Sequence, residues 1–270
     1  MASPMYRQIA EDLRAQIESG GLTPGQQLRT ELELQDHYGA SRNTVRDAIK
    51  WLTILGLVET KPGQGTFVVQ KINPFVTTLT GDPRTGMGGD QDVFYLLEVH
   101  RQDRTPRIGP VQVEIQEASE DIAIALRIKK NAEVISRHER RFIDDLPWSM
   151  QTSYYPAEFA DRGAERLRSP RNIEEGTVQY LADSLHLRQV GYRDLITLRP
   201  PNPTEADFFK LPPDGRVPMY EIRRVAFDGN QEPMRLTVTV YPTDRNRFML
   251  NVGTVPELEE IQAPRQDVSQ

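Results

Sequence analysis

Asn43, Arg46 and Lys50 stand three and four residues apart, with Ser41, Arg42 and Thr44 clustered at the start of the same stretch. These side chains are hydrogen-bond donors or paired donor–acceptors. Arginine suits the O6/N7 edge of guanine, asparagine suits the N6/N7 edge of adenine, and lysine suits a phosphate. Residues three and four apart share a face only on a helix, and that helix needs an apolar face opposite. Val45, Ala48, Ile49, Leu52 and Leu55 supply one. Ser41 is a good N-cap and Gly56 a stop, so the spacing predicts a helix that opens on this polar cluster. Its first-turn N–H groups would add anion-binding capacity to the side-chain donors. An ordinary amphipathic helix with a solvated face has the same pattern, so the neighbouring elements must decide.

Upstream, Ile9, Leu13 and Ile17 recur every four residues beside Tyr6 and Ala10, predicting a helix over 4–19 that Gly20-Gly21 ends. Thr23-Pro24-Gly25 makes a turn. Thr30 and Glu33 form a capping-box pair that opens a short helix carrying Leu32, Leu34 and Tyr38. Arg29 lies just before that cap and joins the candidate cations. Downstream, 57–60 and 66–69 read as short strands joined by Lys61-Pro62-Gly63-Gln64-Gly65. Two glycines in so short a tip permit close approach to another surface. Three helices and such a hairpin are the parts of a winged helix, with Lys61 and Gln64 placed to reach a nucleic-acid backbone or minor groove. The context favours a DNA-binding helix over a merely solvated one.

Charge sets limits. The chain of 270 residues carries a formal net charge of −6, and the first seventy residues hold seven basic against eight acidic side chains. Bulk positive charge cannot drive DNA binding here, so a few well-placed cations must. With no cysteine, disulfides, thiolate catalysis and cysteine-ligated metals are excluded. His37, His100, His138 and His186 lack metal-ligand spacing, and Asp144-Asp145 reads as a hairpin turn rather than a catalytic pair. Neither a catalytic residue, a metal site nor a cofactor is expected. No apolar run approaches a membrane span, and the first seven residues lack the pattern of a secretory signal, so a cytoplasmic location is the expectation.

The ordered series Pro24-Gly25, Leu28, Glu31, Leu34, 41–46, Ala48, Leu52, Gly56-Leu57-Val58 and 63–68 resembles the DNA-binding domain of the GntR family. The resemblance implies that Ser41, Arg42, Thr44 and Arg46 contact DNA and that Gly63 and Gly65 form the wing tip. Two departures are Arg29-Thr30, where the family often has Pro-Ser, and Leu32, where it often has a DNA-contacting Arg.

Residues 71–91, with Pro74, Pro83 and four glycines, read as a linker, and 251–270 as a disordered tail. Between them the pattern predicts strands around 111–115, 149–155, 220–224 and 236–240, with helices near 119–127, 175–187 and 204–210. That mixture implies an α+β domain over 92–250 built on an antiparallel sheet, following the winged helix-turn-helix of 1–70. Arg141, Asp144 and Pro147, then 152–156, then 224–228 with Pro233, then Val240-Tyr241 and 244–248 resemble the UTRA ligand-sensing domain of the HutC subfamily. That domain shares its fold with chorismate lyase. The resemblance implies a small-molecule effector site, with Arg141 at a position that holds a phosphorylated sugar in some members. Tyr154, Arg224 and Arg235 are the further candidates. Glu139 stands where such members carry Arg, and Arg235 where they carry Glu, which points to a different effector or to none. Internal salt bridging of Arg141, Arg224 and Arg235 with Glu139, Asp144 or Glu221 is the competing reading.

The expectation is therefore a repressor-type regulator that binds a palindromic operator in double-stranded DNA as a homodimer and answers to an unidentified small molecule. Two alternatives stay open at this level: a constitutive DNA-binding protein with a vestigial pocket, and a lyase-like enzyme.

Overall fold

The computed structural model describes residues 4–69, 74–79, 91–212 and 215–251. They fall into two units that divide between Asn73 and Pro74. The expected tail, except for Asn251, and most of the expected linker lie outside the described residues.

The first unit begins with α1 (Met5–Glu18), α2 (Glu31–Tyr38) and α3 (Arg42–Ile54) and ends with a hairpin of β1 (Val58–Lys61) and β2 (Gly65–Val68). Local chemistry sets each boundary. Thr30 accepts a hydrogen bond from the Glu33 N–H while the Glu33 carboxylate accepts from the Thr30 N–H, the reciprocal pair expected of a capping box. Gly39, at φ +60°, ends α2. Ser41 caps α3 by accepting from the Thr44 N–H. The three helices bury Ile9, Leu13, Leu34, Val45, Ala48 and Leu52 in one core with Val58 and Val68. Leu55, expected in that stripe, is exposed because the helix ends at Ile54 and Leu55 is its C-cap. Residues 25–28 lie along β2: the N–H of Leu28 donates to Thr66 O at 2.7 Å, and that of Val68 to Gln26 O at 2.8 Å.

The second unit runs β3 (Phe75–Thr78), α4 (Gln91–Arg101), β4 (Pro106–Ile108), β5 (Gln112–Glu117), α5 (Glu120–Leu126), β6 (Glu133–Ile143) and β7 (Leu146–Pro156). It continues with α6 (Glu158–Asp161), a 3-10 turn (Glu165–Arg168), α7 (Thr177–Leu185), β8 (Gly191–Arg199) and α8 (Pro203–Phe209). The last elements are β9 (Met219–Phe227), β10 (Pro233–Pro242) and β11 (Asn246–Met249). Its main sheet is antiparallel, in the order β4-β6-β7-β10-β9-β8 with β5 also on β6. Asp144 and Asp145, both at positive φ, make the two-residue turn between β6 and β7, as their spacing suggested.

Several elements depart from expectation. Phe75–Thr78, inside the stretch read as linker, is a strand paired in parallel with β11. Its partner is some 170 residues away, beyond the reach of local pattern. Strand β8 and helix α4 also went unread.

Strand alternation gives the sheet two unlike faces. On one, α5 and α8 cover Val134, Leu236, Met150, Met219 and Val240. On the other, α6, the 3-10 turn and α7 cover Ile135, Tyr155 and Ala226. This second face also carries a row of buried polar side chains.

Candidate nucleic-acid interface and effector floor

The side chains read as DNA contacts lie on α3 and its cap, on the hairpin and, for Arg29, in the segment before α2. Ser41, Arg42, Asn43, Arg46 and Lys50 are exposed and Thr44 is half-buried, opposite the buried Val45, Ala48 and Leu52. The Ser41 and Thr44 hydroxyls lie 2.8 Å apart, so the cap also fixes a pair of hydroxyls at the helix start. Arg29 is exposed just ahead of the Thr30 cap. Glu31, at the first position of α2, accepts from Nε of Arg42 at 3.0 Å and from Nε of Arg46 at 3.0 and 3.1 Å. Its hydrogen bonds to Arg46 and then Arg42 hold its carboxyl below the usual carboxylate range. In the sequence Glu31 stands out only as a family match. The contact joins residues on two helices and has no local signature.

The hairpin is braced from outside. Gln27 donates through Nε2 to Gln64 O at 2.8 Å, holding the tip against the segment before α2. Gly63 and Gly65 adopt φ of +72° and +121°, which side chains rarely tolerate. A Cβ on Gly65 would come within 2.3 Å of Gln27 Nε2. Lys61 sits 5.0 Å from the Phe67 ring centroid and 3.2 Å from a Glu59 carboxylate oxygen, so part of its charge is already answered. Gln64 is exposed at the tip.

In the second unit, the sheet register separates the effector candidates. Arg141, Arg224 and Arg235 share the polar face with Glu139, Gln151 and Thr237, and all six are buried. Tyr154 projects from the other face. There, with Thr152, His138, Arg223 and Arg199, it lines a cleft of about 350 Å³. Burial lowers the basicity of His138, with the nearby Arg140 acting in the same direction. No single ligand the size of a sugar can touch both sets through the sheet.

The polar face is largely self-paired. Arg224 makes a two-pronged contact with Asp194 on β8, at 2.7 and 2.6 Å, and stacks 3.8 Å from the Tyr192 ring centroid. Arg235 donates to Gln189 at 3.1 Å. Arg141 lies 3.6 Å from Glu139 and 5.1 Å from the Tyr95 ring centroid. Ser153 and Thr237 share a hydrogen bond, and Thr239 donates to Gln151. Of the partners named from sequence, Glu139 does face Arg141. Asp144 pairs instead with Arg104, and Glu221 with Arg199. The Ser149 hydroxyl, buried on β7, meets no hydrogen-bonding atom among the described residues. Among the described residues, no three His, Asp or Glu side chains gather as a metal site would need, and no helix is long and apolar enough to cross a membrane.

Comparison with known proteins agrees with this division. Residues 5–68 match the family model of bacterial regulatory proteins, gntR family, and residues 101–247 match that of the UTRA domain. The repressor NagR of Bacillus subtilis is 28% identical over 158 residues, covering 58% of this chain and 60% of NagR. The regulator GgaR of Escherichia coli K12 is 25% identical over 247 residues, covering 92% and 90%. The crystal structure of PhnF from Mycobacterium smegmatis superposes with a TM-score of 0.56 at 21% identity, covering 92% of this chain and all of that one, which is a likeness of fold. A GntR winged helix-turn-helix followed by a UTRA sheet domain places this chain in the GntR family of bacterial transcription regulators, in its UTRA-bearing branch.

Proposed function

We propose that the chain is a ligand-responsive repressor that binds a palindromic operator as a homodimer. Residues 1–70 read the DNA and residues 92–250 bind the effector and dimerise. The observation that carries the first part is the exposed cluster Ser41, Arg42, Asn43 and Arg46 at the capped start of α3, beside a glycine-tipped hairpin braced by Gln27. Major-groove readout needs donors held in a fixed direction, and this unit holds them without a net positive charge. Two such heads related by a two-fold axis call for half-sites about one helical turn, or a multiple of it, apart. Strand β8 supports the dimer: among the described residues it ends the sheet with one edge unpaired, and Leu195, Ile196 and Leu198 are exposed along it.

The test begins with selection of duplexes from a random pool by the full chain, followed by titration at several salt concentrations. Arg46→Ala is expected to cost about 1–3 kcal/mol of specific binding. Parent-like binding by both Arg46→Ala and Arg42→Ala would overturn the assignment of α3.

A second reading has its own support. With Arg224 matched by Asp194 and Arg141 beside Glu139, the polar face compensates part of its own charge, as a vestigial pocket would. A thermal-shift screen of metabolites separates the two, because a ligand bound only to the folded state raises Tm by mass action. An enzyme is the weaker reading, because the buried polar row has no acid–base pair open to a substrate.

A further inference from the structure

We propose that Glu31 is a specificity-determining residue: its carboxylate cancels charge on Arg42 and Arg46 while fixing their direction, so that the two arginines read bases more than they attract phosphates. The proposal rests on the reading of α3 as the recognition helix and goes beyond it.

The geometry is that of one carboxylate shared by two guanidinium groups. Glu31 is about one-third exposed, whereas the Arg42 and Arg46 side chains are 63% and 54% exposed. Its contacts use the Nε atom of each arginine, at 3.0 Å, and no other hydrogen bond engages either guanidinium among the described residues. The terminal nitrogens, which form the fork that grips a guanine edge, stay available. A lone surface ion pair contributes little to stability. Here the carboxylate instead joins two like charges a single helical turn apart, which would otherwise repel and splay. Glu31 is itself fixed, because it opens α2 immediately after the Thr30 capping box.

The consequence for DNA follows from charge counting. Non-specific affinity grows with the number of phosphates neutralised, and each contributes about −0.9 to the slope of log K against log salt. A carboxylate beside two contacting arginines subtracts roughly one unit of that charge. It leaves the donor directions, and hence base discrimination, in place. Discrimination thus comes at the expense of attraction, in keeping with a reading head that nets −1.

Glu31→Gln isolates the effect, since glutamine keeps an acceptor of the same length and removes only the charge. The experiment is a fluorescence-anisotropy titration of parent and variant against the tightest selected duplex and a random duplex, from 50 to 200 mM salt. Glu31→Gln is expected to bind random duplex more tightly, by on the order of threefold at the low-salt end, and to show a slope steeper by about 0.9. Its preference for the selected duplex should fall by a similar factor, with Tm unchanged. An unchanged slope and preference in a parent that discriminates would overturn this proposal alone, and so would weaker random binding. A parent that prefers no duplex would overturn the assignment of α3 and this proposal with it. Should Glu31→Gln fail to fold, Glu31→Asp serves: it keeps the charge but withdraws it by one methylene, so an intermediate slope is expected, and a parental slope overturns the proposal.

Discussion

Asp194 and Arg224 face each other across β8 and β9 with both side chains nearly buried, at 13% and 9% exposure. Such a pair adds little net stability against an apolar replacement, yet removing one partner strands the other charge in a poor solvent. Asp194→Ala is therefore expected to destabilise the second unit by about 3–5 kcal/mol, read by urea denaturation. A loss below about 1 kcal/mol would mean that water reaches Arg224 freely. Glu98 presents the opposite case. Burial, only partly offset by the Thr78 N–H at 2.6 Å, raises its carboxyl to about 7. The unfolded chain ionises Glu98 near the ordinary 4.5, so between about pH 4.5 and about pH 7 the folded state binds more protons and stability falls as pH rises. Below that window Glu98 costs nothing, and above it the loss is complete, at most about 3 kcal/mol. Glu98→Gln should flatten this part of the Tm–pH curve and raise Tm at pH 8. A variant that keeps the parental slope would assign the titration elsewhere. The arginines of this region were legible in the sequence, whereas their partners were not. Arg224 meets Asp194 thirty residues away through strand pairing, and no spacing rule connects them.

The elements differ sharply in how well local chemistry announced them. Helices α1, α2 and α3 carry their own caps, stops and apolar stripes, and the structure places each within about a residue of its expected bounds. The hairpin announced itself by two glycines. What supports it did not, because the bracing segment 25–28 has no strand pattern and pairs with β2 some forty residues away. Strand β8 was missed for a physical reason: at a sheet edge, neither of its faces is consistently buried, so Gly191–Arg199 shows no clean alternation. The polar face of β6 hid another signal, since Arg137, Glu139 and Arg141 occupy positions where a core strand ordinarily shows Val or Ile. Gly65 tests the hairpin as an element. Gly65→Ala forces a side chain into φ +121° and crowds Gln27, for a cost of about 1–3 kcal/mol at that residue. Operator binding should weaken more than the melting temperature suggests, because the strain is relieved by moving the tip. Parental affinity from Gly65→Ala would show that the tip stays clear of DNA.

At the scale of the molecule, a net charge of −6 repels both a second copy and DNA, so each association needs a directional device. On the reading proposed above, that device for DNA would be the arginine pair steadied by Glu31. For the second copy it would be the edge of β8 that is unpaired among the described residues, where backbone donors and acceptors stand beside Leu195 and Leu198, 58% and 63% exposed. Antiparallel pairing of this strand with itself across a two-fold axis would continue the sheet from one protomer into the next and bury those leucines. An edge so apolar is an aggregation hazard in a monomer, and lysine on an edge strand is the usual protection. The double variant Leu195→Lys/Leu198→Lys places a cation on each face of the paired edge, removing the apolar contact and adding like charge along the seam. It is expected to sediment as a monomer at concentrations where the parent is a dimer. Its affinity for a full palindrome should then drop toward that for one half-site, because the second head no longer binds at high effective concentration. Affinity for an isolated half-site should stay near the parent's, since residues 1–70 are untouched. A double variant that still sediments as a dimer would move the interface off β8. A monomer that kept full affinity for the palindrome would show that the two heads bind independently.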